Sequence, residues 1–351
     1  MSYGSLDIIA CPNAQDSLTD YFVSGDPTAR REDKALTNFL LSDTNRRGVL
    51  QNAVSVGGGH KRTVELTYFP RVEATSTSAT PDCTPTTALT ECSTTYEIDT
   101  TAGTSNNMTL DLRKLEKGCA DDEFYYSKLL MQLFDSVYRK MNTTNATQLA
   151  ALVGNHATTG TSAAVNVTTT SSGNYSNDFV QKILFEMAES EIAEVKPVAI
   201  SGSQKVWNYK NASEFARAVD GLNIDVADYT ASYGFPILYD RDINGSGAFA
   251  ADEFPVIVPG AVQLLTFNRF AEDGNQVAVI DEGLYKQGTV VDPRTGVRFD
   301  YVADYNKCEG LAWDIWVGLS HKLVGMPTDM FNPSDRLEGV TYVYNFKAVA
   351  S

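Results

Sequence analysis

Arg62-Thr63-Val64-Glu65-Leu66-Thr67-Tyr68-Phe69, stopped by Pro70, and Thr94-Thr95-Tyr96-Glu97-Ile98-Asp99-Thr100 are two runs in which apolar and polar residues alternate. Alternation at period two belongs to β-strands, with one face turned to a partner and the other to water. Gly57-Gly58-Gly59 opens the segment, and a tip rich in Ser, Thr, Ala and Pro spans 74–90. The pattern predicts a long β-hairpin within residues 57–117 that has little apolar material of its own. A two-stranded hairpin alone is marginal in water. This one therefore either packs on its own domain or is completed by another molecule.

Outward from the hairpin the chain is punctuated clearly. Residues 1–55 form an arm with one helix over 31–41, where Leu36, Phe39 and Leu40 share a face and Ser42-Asp43-Thr44-Asn45 ends it. After the hairpin comes the strongest helix. Asp121, Asp122 and Glu123 suit the first turn, and Tyr126, Leu130, Leu133, Phe134, Val137 and Met141 recur at three- and four-residue spacing. Continued through 148–153 it would be about 50 Å long. Residues 154–177, rich in Gly, Thr and Ser and holding His156, read as an exposed loop. A second helix is expected over 178–195, with Phe179, Ile183, Met187 and Ile192 along it and Pro197 beyond. Glu186, Glu189, Ser190, Glu191 and Glu194 would form its solvated face.

From 197 the pattern is mixed. Strands at 197–200, 205–209, 223–229, 236–239 and 262–267 and a short helix at 213–219 suggest a central sheet, and strands dominate after 275. Those later strands fall at 277–280, 296–305, 311–319 and 340–346, with Asp292-Pro293-Arg294-Thr295-Gly296 as a turn between two of them. The fold class expected is α+β.

The 351 residues are 43% hydrophobic and 10% aromatic, enough for a substantial core. A net charge of −16 argues against gripping nucleic acid through its phosphates, although it permits enclosing it. No secretory signal and no membrane-spanning apolar run are visible. Cys11, Cys83, Cys92, Cys119 and Cys308 form no C-x-x-C pair, which disfavours a zinc ribbon or redox site. Cys83 and Cys92 flank the hairpin tip and could pair in oxidising surroundings, or remain free thiols in a reducing cytosol. The seven N-x-S/T sequons reflect Thr-rich composition.

Catalytic patterns are missing. His60, His156 and His321 stand in different segments, and no metalloprotease, nucleophile-elbow or nucleotide-binding motif occurs in its required context. Gly57-Gly58-Gly59 could cradle a phosphate, but no helix with a Lys follows it, so it reads as a hinge. One constellation stands out. Asp242, Asn244 and Ser246 place oxygens at positions 1, 3 and 5 of a calcium loop, with Gly247 at 6, Phe249 at 8 and Glu253 at 12. A strand-like 235–239 precedes it where an EF-hand needs a helix. A Gly-rich turn with Asx caps would present the same residue types.

Taken in order, arm, hairpin, long helix, second helix, mixed domain and late strands resemble the major capsid protein of tailed double-stranded DNA bacteriophages. The resemblance covers nearly the whole chain and lies in the order of parts. It implies an N-terminal arm at 1–56, an extended E-loop at 57–118 and a peripheral domain with its spine helix at 119–196. It also implies an axial domain at 197–275 and returning peripheral strands at 276–351. Phe254-Pro255-Val256-Ile257-Val258-Pro259-Gly260-Ala261-Val262 resembles a strand-turn-strand of such proteins. Val297-Arg298-Phe299-Asp300-Tyr301 and Leu311-Ala312-Trp313-Asp314-Ile315-Trp316 resemble the returning strands.

The function implied is structural, a subunit that self-assembles into hexamers and pentamers around the genome in the virion shell. It would be made in the host bacterial cytoplasm with no enzymatic activity and no cofactor beyond the candidate Ca²⁺. Its partners would be further copies, a portal, and scaffolding or decoration proteins. No long charged coiled coil precedes the arm, so a separate scaffold is expected. Some members crosslink an E-loop Lys to a neighbour's Asn; Lys61 with Asn306 or Asn345 supplies the residue types, but no crosslink is expected. The hairpin then reads as an arm stabilised by the next subunit, with Arg62, Val64, Leu66, Tyr68, Tyr96 and Ile98 as candidate assembly contacts. The competing readings are a tail-tube or surface-layer subunit, which would be β throughout, and an enzyme with an unrecognised site.

Overall fold

The computed structural model describes residues 34–42, 45, 50–56, 61–69, 92–99, 102–111, 122–169, 178–207, 235–272, 275–276, 285–292, 296–306, 312–328 and 339–350. The hairpin tip, most of the arm, the strand expected at 277–280 and the elements expected between 208 and 234 lie outside them. Within them the chain is α+β, and its helices lie against sheets.

The long helix α2, Asp122–Ala151, follows an N-terminal helix α1, Ala35–Leu41, and strands β1 Leu50–Val56, β2 Lys61–Tyr68, β3 Cys92–Asp99 and β4 Gly103–Asp111. At about 1.5 Å per residue α2 is roughly 45 Å long. Its first half buries Leu130, Leu133, Phe134, Val137 and Met141, the row its periodicity marked out. Past Arg139 the sequence turns unfavourable for a helix, with Asn142, Thr143, Thr144 and Asn145 in succession. There Thr143, Thr144 and Thr147 turn their hydroxyls back onto carbonyls four residues earlier, which satisfies the hydroxyls without strengthening the helix, so packing must hold this stretch. Asn142 and Asn145 are completely buried against α1. Two of the seven sequons are therefore interior residues.

One five-stranded sheet packs on that first half. Its order is β12 (Tyr285–Val291), β13 (Arg298–Asn306), β14 (Ala312–Gly325), β4, with β9 (Val262–Phe267) joining the far end of β14, while β10 (Ala271–Glu272) and β11 (Asn275–Gln276) pair only with each other. Trp313, Ile315, Val317 and Leu319 alternate along β14 toward α2, and Phe134 stacks on Phe299 at 5.1 Å. Gly296 closes the β12–β13 turn with φ of 69° and donates its N–H to Asp292 O, as the turn chemistry of 292–296 predicts. Strand β4 belongs here: Gly103–Asp111 pairs antiparallel with Ser320 back to Ala312. The expected hairpin of 57–117 is thus shorter, because Leu110 and Met108 find an apolar partner in α2 that the Thr-rich strands cannot supply.

A second five-stranded sheet runs β5 (Val165–Thr169), β15 (Val343–Ala350), β8 (Glu253–Ile257), β6 (Val198–Ser201), β7 (Ile237–Tyr239). The linker expected at 154–177 therefore contains a strand, with Val167 fully buried. Residues 204–207 make a helical turn where a strand is expected over 205–209. Because β15 lies between β5 and β8, the boundary drawn at 275/276 passes through one continuous sheet. The segment 254–262 is strand, turn and strand, but β8 and β9 enter different sheets.

Helix α3, Asp178–Glu189, covers this second sheet with Phe179, Ile183 and Met187, and Phe179 stacks on Phe254 at 5.5 Å. It stops short of 195 in a Schellman turn. Glu191 is left-handed (φ 59°), Glu191 N–H donates to Ala188 O, and Ile192 N–H donates to Met187 O.

A buried polar junction joins arm, spine and second sheet. Asp240 accepts Leu36 N–H at 3.0 Å, Asp242 N–H at 3.0 Å and Asn142 Nδ2 at 3.0 Å. Asn142 Oδ1 accepts both the N–H and the hydroxyl of Thr37. Burial pushes the Asp240 carboxyl up, and its hydrogen bonds restrain the rise. Replacing Asn142 with Ala strips donors from a buried carboxylate and acceptors from α1. The expected cost is about 2–4 kcal/mol, read as a lowered denaturant midpoint, with α1 losing amide protection first.

Candidate assembly surface

Strands β1, β2 and β3 form a separate antiparallel sheet in that order. Register across β2 and β3 pairs Arg62 with Ile98, Val64 with Tyr96, Leu66 with Thr94 and Tyr68 with Cys92. Since side chains alternate, all six candidate contacts lie on one face. That face packs on the chain's own body: Val64, Leu66, Tyr68 and Ile98 are buried with Leu265 of β9, Val324 of β14 and Met326. Tyr96 donates its hydroxyl to Gly325 O at 2.6 Å, and burial raises its pKa. The Arg62 guanidinium lies 5.3 Å from the Phe267 ring centre. Lys322 Nζ donates to Glu97 O at 2.9 Å.

This corrects the reading of those six as contacts with a neighbour. The apolar face of the hairpin is completed by the end of the subunit's own β9–β14 ladder, which offers Leu265, Val324 and Met326 in matching positions. What remains outward is polar. Ser93, Thr95, Glu97 and Asp99 are exposed, Thr63 and Glu65 half-buried. Phe69, at the end of β2 where the tip begins, is 51% exposed. Among the described residues β1 and β3 each have a single ladder partner, so each presents an unpaired strand edge. By contrast Lys182 Nζ donates to Asn166 O on the edge strand β5.

The root of the hairpin is tight. The first residue of β4, Gly103, lies so close to β14 that an added Cβ would stand 2.3 Å from Leu319 O and 2.7 Å from Ser320 Cα. Both are backbone atoms that cannot swing away. Cys92 is a free thiol; Cys83 lies outside the described residues. Lys61 and Asn306 have no described side chains. Asn345 is held within β15 by Glu253.

The calcium-loop residues are close in space but do not converge. Residues Asp242–Gly245 form one helical turn, α4. Asp242 Oδ2 accepts Lys34 Nζ at 3.1 Å and Asn142 Nδ2 at 2.9 Å. Asn244 Oδ1 accepts Gly202 N–H, while its Nδ2 donates to Ala250 O and Glu253 O. Ser246 Oγ accepts Ala248 N–H, and Glu253 Oε2 accepts Asn345 Nδ2. A cation needs these oxygens directed at one point; here each is directed at a different protein donor, one of them an ammonium. The residues do not fit the ion, and the turn is held by Asx-type bonds. Among the described residues no group of three His, Cys, Asp or Glu side chains could hold a metal.

Two other polar clusters are structural pins. His156, placed by its composition in an exposed loop, is completely buried: Nε2 lies 2.8 Å from Asn345 O, and Nδ1 lies 3.4 Å from Glu186 Oε2. Glu186, read as part of a solvated helix face, is 1% exposed. Burial opposes its charge, but bonds from His156, Thr158 and the Ala157 N–H prevail and lower its pKa. Asp252, left-handed at φ 65°, accepts Ser203 Oγ at 2.6 Å and pairs with Lys205. Burial works against its charge too; Lys205 and Ser203 outweigh it, so its pKa falls. Ser203 thus donates to a carboxylate already paired with Lys205.

No family model matches this chain, and no curated protein is recognisably similar to it in sequence. Several solved structures are similar in shape. The capsid asymmetric unit of cyanophage A-1(L) contains a chain matched over 93% of this protein and 99% of its own length, at 12% identity and TM-score 0.45. The capsid of cyanophage P-SCSP1u is matched over 86% and 89%, at 10% identity and TM-score 0.44. A chain of Mycobacterium phage Che8 is matched over 82% and 84%, at 11% identity and TM-score 0.41.

Two measurements test this geometry. Gly103→Ala overpacks the root and should cost about 1–3 kcal/mol, read as a lowered melting temperature. Millimolar Ca²⁺ should release no heat in isothermal titration and leave that temperature unchanged.

Proposed function

We propose that this protein is a shell subunit, a major capsid protein whose copies assemble into hexamers and pentamers around a double-stranded DNA genome. The observation that carries this reading is the three-stranded sheet β1–β2–β3. Its apolar face is anchored on its own body, while its polar face, two strand edges and the exposed Phe69 remain available to another copy. A compact catalyst has no use for such a projection; a subunit that must reach its neighbour does. The order of parts in space supports it as well, with a helical arm locked to a long spine helix, one sheet under each half of the spine, and a last strand returning to the second sheet.

Net charge supports the role of a container. At −16 the subunit does not neutralise phosphate, so enclosed DNA is confined without being gripped. Portal, scaffolding and decoration proteins are the further partners proposed. The shell would assemble in the host bacterial cytoplasm and persist in the virion, with neither catalysis nor a bound cation. No described helix is long and apolar enough to cross a membrane.

The test removes the tip and keeps both strands. Deletion of residues 71–90, bridged by a short glycine turn, should leave a folded, soluble subunit with nearly unchanged circular dichroism and melting temperature. Its particles, imaged by negative stain after co-expression with the neighbouring virion genes, should be absent. Shells of normal abundance would refute the role given to the projection. A full-length chain that stays monomeric at high concentration, with those partners present, would refute the shell reading itself.

A further inference from the structure

Five side chains from three distant parts of the sequence meet at the junction of arm and spine. Lys34, just ahead of α1, donates its Nζ to Asp242 Oδ2 at 3.1 Å. The same oxygen accepts Asn142 Nδ2 of α2 at 2.9 Å, so the two nitrogens lie within 6.0 Å of each other. Asn142 Nδ2 also donates to Asp240 at 3.0 Å. At the other end of that amide, Oδ1 accepts the Thr37 N–H at 3.1 Å and the Thr37 hydroxyl at 2.8 Å. Water is nearly shut out: Lys34 is 8% exposed, Asp240 2%, and Asn142 and Thr37 are fully buried.

A buried amide needs its hydrogen bonds made. It does not need an amine beside it, one carboxylate oxygen shared by amine and amide, and two donors on its carbonyl oxygen. Those are the parts that attack on an amide requires. We propose that Lys34 and Asn142 condense into an intramolecular isopeptide bond, Lys34 Nζ to Asn142 Cγ, which ties the arm covalently to the spine helix. The bond is internal to one subunit and forms once per chain. Lys61, Asn306 and Asn345 take no part in it, and it stands whether or not copies assemble.

Protons and electrons balance. Asp242 takes one proton from the Lys34 ammonium and frees its lone pair. That pair forms the bond to Asn142 Cγ, and the carbonyl π pair moves onto Oδ1, where the two Thr37 donors meet the developing charge. A second proton leaves the attacking nitrogen and reaches Nδ2 through the carboxylates that already bond it. Burial pushes the Asp240 carboxyl up, which suits it to hold that proton in passing. The Cγ–Nδ2 bond then breaks with its electron pair on nitrogen, and ammonia departs, taking the first proton from Asp242. An ammonium and a primary amide become a secondary amide and an ammonium ion, and no oxidant or further reactant is consumed. Attack brings nitrogen to about 3–3.5 Å from the carbon. Rotation at the end of the Lys34 stem, with Nζ pivoting on Asp242, covers the remaining distance.

Intact-mass spectrometry of the purified full chain reads the bond directly. After incubation at neutral pH the wild type should be lighter than its sequence by one ammonia. Trypsin should then release one branched peptide joining residues 32–46 to 141–182, uncut after Lys34. Lys34→Arg keeps a cation beside Asp242 but has no amine to attack, so it should hold its full mass and give unlinked peptides. Asp240→Asn, which leaves amine and amide in place but cannot carry the proton, should react about 100-fold more slowly. A wild-type chain of full mass overturns the proposal, and that outcome needs no variant to fold. So does a lighter chain without the branched peptide, because ring closure of Asn244 onto the Gly245 nitrogen loses the same ammonia. A Lys34→Arg chain that still loses ammonia and gives a linked peptide overturns it as well.

Discussion

Strand β14 is the constraint on which the rest of the structure depends. At about 3.3 Å per residue its fourteen residues run some 46 Å, long enough to serve every packed unit. One edge pairs with β4, the other with β13 and then with β9. Trp313, Ile315, Val317 and Leu319 enter the core under the first half of α2, Leu323 enters the core shared with the second sheet, and Val324 lies beneath the hairpin. Slip this strand by one residue and each of those side chains turns to the wrong face. The three cores would fail together.

Helix α2 repeats that logic in helical form. Its first half lies over the first sheet and its second half, through Ala146 and Leu149, over the second. Strand and helix together turn three modest cores into one body, and the buried Asn142–Asp240 junction ties the arm to it. That junction is polar where most of the interior is apolar. Directional bonds, from Asn142 to Asp240 and from Thr37 to Asn142, accept only one seating of α1, whereas an apolar contact of equal area would accept several. The hairpin sheet, the third core, is the smallest and most polar of the three. It sits at the end of β14, tied there by the Tyr96 hydroxyl on Gly325 O and the Lys322 ammonium on Glu97 O.

Much of this fold was legible in the chain. The α2 periodicity selected Leu130, Leu133, Phe134, Val137 and Met141, the alternation of 62–69 and 94–100 gave paired strands, and Leu36, Phe39 and Leu40 marked the buried face of α1. What was misread shares one cause, that composition reports average surroundings and not partners. His156 looked solvated because its neighbours in sequence are small and polar, and Glu186 because it was grouped with Glu189, Glu191 and Glu194; each lies beside the other in the fold. The 242–253 loop matched a calcium template by residue type, but type does not say where an oxygen points, and Lys34, 208 residues away, supplies Asp242 with its cation.

The sequence by itself determined the long helix, the arm helix and the paired strands of the hairpin, and that the hairpin has one apolar face and one polar face. Those properties follow from spacing along the chain, because the periods of helix and strand are local geometry. Only the tertiary structure decided what covers that face. The end of the β9–β14 ladder reaches it through chain reversals no short window contains, and so the residues that looked ready for a neighbour became part of the subunit's own core.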